Sequence, residues 1–209
     1  LYRPLFNGLI LLYSYLPGND LGLAIIALTV VVRVILSPLV DRQYRSQRAM
    51  TKLQPKIQEL RENIRDRQEQ SRKLMALYKE EGVHPASGCL PVLIQLPVLF
   101  ALYRVLINGL QVDALADLYS WVARPGAVNT TAFGILDLAH PNVFLALTAG
   151  ISQYVQSRLM ILPAPPAGKT PDMARMMNQQ ALYVMPVLTV VFALGFPAGL
   201  SLYWVTTTI

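Results

Sequence analysis

Charge is scarce in this chain. Only 14% of its 209 residues are Asp, Glu, Lys or Arg, against about a quarter in an ordinary soluble domain. Hydrophobic residues make up 54%, and mean hydropathy is positive. That balance points to a polytopic membrane protein. Cysteine is scarcer still. The single Cys89 excludes an internal disulfide and a multi-cysteine metal site; beside a helix start it reads as a small packing residue. The two histidines, His84 and His140, each precede a proline and are expected on opposite membrane faces, so they cannot share a metal. No serine or cysteine has an intramembrane base nearby, which leaves a protease reading without support. No internal repeat is evident, which disfavours an inverted-repeat transporter. "AGKT" (167–170) has part of a phosphate-loop pattern, but Pro163 stands where the first glycine is needed and no strand precedes it. No cofactor and no nucleotide hydrolysis are expected.

The charge that is present is unevenly placed. Eleven Lys/Arg and seven acids lie between Asp41 and Pro85, whereas Gln111–Pro141 holds Arg124 against Asp113, Asp117 and Asp137. The positive-inside rule puts the first stretch in the cytoplasm and the second outside. The N-terminus is therefore expected outside and the C-terminus in the cytoplasm. Leu1 is not a methionine, and Ile209 falls within an apolar segment, so both ends read as trimmed.

The expected fold is an all-α membrane protein with a five-span core. Residues 1–20 read as an amphipathic helix on the outer surface, with an extra span as the alternative; it ends at the turn signal Pro17-Gly18-Asn19-Asp20. Span one is 21–41. In 42–85, Met50, Leu53, Ile57, Leu60 and Ile64 recur at steps of three and four, a coiled-coil seam. "DRQEQ" (66–70) interrupts this pattern before Leu74, Leu77 and Tyr78 resume it, giving a cytoplasmic helical hairpin whose first arm Pro55 is expected to start or kink. Span two covers 88–110, an external segment 111–141, span three 142–162, a Pro-rich cytoplasmic loop 163–180, span four 181–195, and span five runs from 197 to the end. Asn129-Thr130-Thr131 matches a glycosylation pattern that is common by chance. Met173, Met176 and Met177 could form an adaptable contact surface, although packing at the membrane edge explains them as well.

One residue breaks the apolar run of span one. "LTVVVRVILSPL" (28–39) carries Arg33 at its middle, a placement that costs about 2.5–3.5 kcal/mol on insertion scales. Thr29, Arg33 and Ser37 share one helical face. So do Thr148, Ser152 and Gln156 on span three, with Gln153 and Ser157 alongside; Gln95 lies on span two, and Ser201, Tyr203, Trp204 and Thr206–Thr208 on span five. Counted from the span ends, Arg33, Gln95 and Gln156 each lie roughly 10 Å from the cytoplasmic boundary at 1.5 Å per residue. Leu21–Leu28 in the outer half is apolar. The economical reading is a water-filled groove open to the cytoplasm and closed toward the outside. Snorkelling of Arg33 to the interface, or capping by carbonyls within a packed bundle, are the competing accounts. Serine and threonine are weaker signals, since they often bond their own backbone.

"LYKEEGVHPASGCLPVLIQLPVLFALYRVL" (77–106), "LDLAHPN" (136–142), "AGISQYVQSRLM" (149–160) and "MPVLTVVFALGFPAGLSLYWV" (185–205) closely resemble the YidC/Oxa/Alb family of membrane protein insertases. "GLAIIALTVVVRVILSPL" (22–39) is similar to that family's first core span, its arginine included. The resemblance covers nearly the whole chain. It implies a five-span core, a cytoplasmic coiled-coil hairpin and a groove holding the arginine, to which Thr29, Arg33, Gln95, Gln153 and Trp204 correspond by position. Ser37, Ser152, Gln156 and Tyr203 join that candidate set from the residues themselves. It also implies an insertase and chaperone, not an enzyme, in a bacterial plasma membrane. Its expected partners are nascent proteins with one or two spans, a ribosome and targeting factor, the Sec translocon and the bilayer, with no direct nucleic-acid substrate. Departures are His84 in place of the usual asparagine, a longer external stretch over 111–133, and no basic tail within the sequence. A small anion channel or transporter using Arg33 as its ion site is the competing function. It would need a polar path through Leu21–Leu28.

Overall fold

The computed structural model describes residues 2–64, 66–82, 90–109, 117–125, 128–160 and 179–208. His84, Cys89, the 167–170 loop and Met173, Met176 and Met177 lie outside the described residues, as does most of the 163–180 loop. The helices are α1 (Tyr2–Tyr15), α2 (Leu21–Asn63), α3 (Arg67–Glu80), α4 (Leu90–Arg104), α5 (Val143–Met160), α6 (Met185–Gly195) and α7 (Ala198–Thr208). A π-helical turn, Val105–Gly109, follows α4, and another, Gln180–Val184, leads into α6. Pro186 at the start of α6 has no N–H to return into that turn. Two short strands, β1 (Thr131–Ala132) and β2 (Leu136–Asp137), pair antiparallel.

The chain forms two compact units: Leu1–Ile35 with Leu96–Ile161 and Pro171–Ile209, and Leu36–Gln95 with Leu162–Thr170. In the second, Leu53 and Ile57 of α2 are buried against Ala49, Met50, Leu74, Leu77 and Tyr78. Lys56 Nζ donates to Glu81 Oε1 at 2.5 Å, and this bond raises the lysine pKa. Two expectations need correction here. Of the two roles expected of Pro55, starting an arm is excluded, since α2 continues through both Pro38 and Pro55. Pro55 is exposed, so the carbonyl its missing N–H leaves unpaired can meet solvent, while Leu53 and Ile57 on either side keep their packing. The break between the helices is also shorter than "DRQEQ". Helix α3 already begins at Arg67, because the Asp66 carboxylate accepts from Gln68 N (3.0 Å) and starts it at once.

The core of the first unit joins α1, the start of α2, α4 and α7. Phe6, Leu9, Ile10, Leu21, Ile25, Val105, Leu106 and Leu200 are all buried there. Gly199 permits the close approach: a Cβ at that position would stand 3.0 Å from the Leu106 methyls and 3.2 Å from Ile25. Residues 117–125 and 128–142, read from sequence only as an external segment, fold onto one end of this unit. Asn7 of α1, 1% exposed, donates to the carbonyls of Arg3 (2.8 Å) and Asp117 (3.2 Å) and accepts from Tyr119 N (2.6 Å). Asn129 N donates to the Tyr13 hydroxyl at 2.9 Å. Asp20 caps α2 by accepting from Leu23 N (3.0 Å), and its other oxygen accepts from Phe133 N. Asn142 caps α5 through Leu145 N (3.1 Å). Ala198 N and Gly199 N, at the start of α7, donate to the carbonyls of His140 and Leu138, both at 3.0 Å. Helices α2, α5 and α7 therefore all begin at one end of the unit.

Helix α5 packs against α6 and α7. A Cβ at Gly150 would collide with the Val190 side chain of α6. Away from these contacts the helices carry large apolar side chains outward: Ile151 is 63% exposed, Leu159 81%, Val191 63% and Val34 66%. Apolar outward faces of this kind suit lipid, not water. Helix α2 is long and apolar enough to cross a membrane, and only 22% of its apolar window is buried; Gln95–Ile107 and Gln180–Gly195 are shorter apolar helical stretches.

Two outcomes follow. Gly150→Leu overpacks the α5–α6 contact and is expected to destabilise the unit by about 1–3 kcal/mol, read as a lower unfolding midpoint in detergent. The second concerns the cap segment. His140 Nδ1 donates to Asp137 Oδ2 (2.6 Å) and Ala139 N to Oδ1 (2.9 Å); the histidine bond first and the backbone bond second hold the Asp137 carboxyl below the usual aspartate range. A carboxyl so depressed stabilises the fold above its unfolded pKa of about 3.9. That contribution is lost as pH falls through the lower folded value. The stability deficit of Asp137→Asn, followed by thermal unfolding, should be full at pH 6 and vanish in stronger acid.

Candidate functional site

The threonine hydroxyls on the polar faces satisfy themselves. Thr29 is 3% exposed and donates to the Ile25 carbonyl at 2.6 Å. Thr148 does the same with Phe144 (2.8 Å), and Thr206, Thr207 and Thr208 with Leu202, Tyr203 and Trp204 (2.8, 2.6 and 2.7 Å). A hydroxyl bonded to the carbonyl four residues back can sit in an apolar environment without an outside partner. These side chains therefore do not by themselves require water.

Arg33 is different. Its guanidinium has five donors and no acceptor, and cannot be satisfied by one carbonyl of its own helix. The side chain is half-buried. Among the described residues no carboxylate forms an ion pair with it. Its neighbours along α2, Val32 and Val34, are aliphatic.

Several of the other expected groove residues meet. Trp204 Nε1 of α7 donates to Gln153 Oε1 of α5 at 3.2 Å, so side chains 51 residues apart in sequence join two helices by a polar bond. Ser152 and Gln156 are half-buried on α5, and Ser157 is buried. Thr29 and the buried Tyr203 line one small recess together with Leu28, Val32, Val98 and Leu102. That recess is apolar apart from the threonine and tyrosine. Ser201, one turn before Trp204, is 2% exposed and its hydroxyl has no hydrogen-bond partner among the described residues. Ser37 and Gln95 fall in the second unit. No group of three or more His, Cys, Asp or Glu side chains able to hold a metal occurs among the described residues.

Sequence reasoning missed the cap residues that hold these helices in place: Asp20, Asn142 and the carbonyls of Leu138 and His140. The signal for the first two was present, since each is an Asp or Asn directly before an apolar run. The carbonyls carried none.

The family model described as 60Kd inner membrane protein matches residues 11–209. The chain belongs to the YidC/Oxa/Alb insertase family. It is 36% identical over 206 residues to membrane protein insertase MisCA of Bacillus subtilis (strain 168), covering 95% of this chain and 70% of that relative. It is 39% identical to membrane protein insertase YidC of Actinobacillus succinogenes over 99% of this chain but 34% of the relative. A solved structure, the active YidC insertase with its first transmembrane domain resolved, superposes with a TM-score of 0.61 at 29% identity, covering 99% of this chain and 44% of that one. The chain thus spans about a third of the Actinobacillus YidC and under half of the solved one. Membership places it among membrane proteins and accounts for its mainly helical fold.

The Gln153–Trp204 bond gives a direct test of coupling between α5 and α7 of this family member. A double-mutant cycle of Gln153→Leu and Trp204→Phe, followed by unfolding in detergent, should return a coupling of about 0.5–1.5 kcal/mol. Additive effects would mean that the two side chains act separately.

Proposed function

We propose that this chain is a membrane protein insertase that receives nascent membrane proteins from the cytoplasm at a polar groove around Arg33 and releases their spans sideways into lipid. The observation that carries this reading is Arg33 itself, a half-buried guanidinium in an apolar helix with no acidic partner among the described residues. Such a group needs water, a phosphate or an incoming carboxylate. The relatives named membrane protein insertase support the choice of the incoming chain.

The physical task is to carry a polar segment across a layer where each unpaired backbone group costs several kcal/mol. Wet, polar walls along Arg33, Ser152, Gln153, Gln156 and Trp204 shorten the dry distance to the outer half of the bilayer. Arg33 attracts acidic residues of the client. At about 4 Å and an effective dielectric near 20 this attraction is worth about 4 kcal/mol before desolvation is subtracted. The client's apolar span supplies the driving force as it enters lipid, and the membrane potential acts on its acidic residues.

The basic stretch 41–85 faces the cytoplasm, in a bacterial plasma membrane, with the N-terminus outside and the C-terminus inside. Exposed Arg42, Arg45, Arg48 and Lys52 offer a surface for a ribosome or targeting factor, and the chain works alone or beside a Sec translocon. Clients with one or two spans suit a groove closed on its outer side by Leu21–Leu28.

In an insertase-depleted bacterial strain, Arg33→Ala should lower insertion of a client with an acidic translocated segment by about tenfold, which corresponds to ~1.4 kcal/mol. Arg33→Lys should largely retain activity. A fully active alanine variant would remove the role assigned to the arginine.

A further inference from the structure

The capped end of the first unit carries side chains that a water-facing surface does not explain. Ile135 is 88% exposed, Phe133 49%, Trp121 67% and Tyr15 82%. The turn that presents Phe133 and Ile135 is firmly built. Phe133 and Gly134 both adopt left-handed backbone (φ +53° and +71°), the first being uncommon for an aromatic residue. Ile135 N donates to Ala132 O at 3.1 Å, and the Asp20 carboxylate holds Phe133 N. The hairpin lies so close on α2 that a Cβ at Gly22 would stand 2.6 Å from the Ala132 Cβ and 3.3 Å from the Phe133 ring. Strained backbone persists only where its surroundings over-determine it. Here they do so in order to turn two apolar side chains outward.

Three observations identify what covers them. Residues 128–136 contain no charged side chain, and the two carboxylates beside them, Asp20 and Asp137, are already engaged in hydrogen bonds within the unit. Asp20 both caps α2 and tethers the hairpin, which fixes the turn at the level where the apolar stretch of α2 begins. The outward apolar surface also continues onto the start of α5, where Phe144 is 74% exposed. Aromatic and aliphatic side chains at the end of a membrane helix are the composition of a bilayer interface.

We propose that the Phe133–Gly134–Ile135 turn is a lipid anchor. It seats in the interfacial layer of the leaflet at the N-terminal end of α2. This rests on the reading of α2 as a membrane span. Its consequence is a depth gauge: twelve helical residues separate Leu21 from Arg33, about 18 Å along the axis, so a turn held at the interface sets how deep the guanidinium lies.

The test uses the whole chain with Cys89→Ser, its sole cysteine removed, reconstituted in phosphatidylethanolamine/phosphatidylglycerol vesicles. A single environment-sensitive fluorophore is placed at Ile135→Cys, at Val191→Cys on the outward face of α6, or at the exposed charged site Arg124→Cys. Emission from position 135 should shift to the blue, fall with shallow nitroxide-labelled lipid and resist aqueous iodide, whereas position 124 is quenched by iodide. If position 135 behaves like 124 while 191 remains quenched by lipid, the anchor is overturned and the membrane reading stands. Protection of 135 from both quenchers would place a protein there and equally overturn it. If 191 is itself open to iodide, the membrane reading fails and the anchor falls with it.

Discussion

Every helix start leaves backbone N–H groups without partners inside the helix, and in an apolar layer such groups are costly. For α2, α5 and α7 this chain meets that constraint at one end of the first unit. The segment from Asn129 to Asn142, with Asp20 beside it, supplies acceptors to the first turns of α2, α5 and α7. The segment itself serves α5 and α7, while Asp20 caps α2 and is tied to the segment at Phe133, so the three helices start from one end of the unit. The bonds from Asn7 and Tyr13 of α1 to Tyr119 and Asn129 attach the same layer to the first helix.

The candidate site inherits its geometry from that end. Arg33 is carried on α2 at a set distance from the Asp20 cap, and the Gln153–Trp204 bond joins α5 and α7, both of which start from the same capping segment. Close packing through Gly150 against Val190, and through Gly199 against Leu106 and Ile25, keeps those helices together. Within this frame the polar residues divide into two kinds. Thr29, Thr148 and Thr206–Thr208 are satisfied by their own helices. Arg33 cannot be, and Ser201 has no partner among the described residues. The proposed insertase role therefore falls on the arginine and on the amide–indole pair far more than on the hydroxyl faces.

Much of the architecture could be read from residues alone, for a local reason. The apolar run around Arg33, the seam residues Leu53 and Ile57, and the Pro-Gly-Asn-Asp turn before α2 each declare themselves within a few residues. Where reading failed, a local signal was overridden by its setting. Pro55 can start a helical arm, but seam packing on both sides lets α2 continue through it. "DRQEQ" is polar enough for a loop, yet Asp66 caps and starts a helix inside it. The 128–142 segment looked like an undistinguished external loop, because its strands are two residues each and its main service is given by carbonyl oxygens.

By itself, the sequence determined that this is a membrane-embedded, mainly helical member of the YidC/Oxa/Alb family with one arginine in an apolar run. Hydropathy, charge and motif are properties of neighbouring residues and survive without a fold. Only the tertiary structure decided which threonines satisfy themselves, that Gln153 meets Trp204, and that the starts of α5 and α7 share one capping segment to which the α2 cap, Asp20, is tied. Those facts depend on hydrogen bonds between atoms that chain folding, not chain order, brings within 3 Å or so.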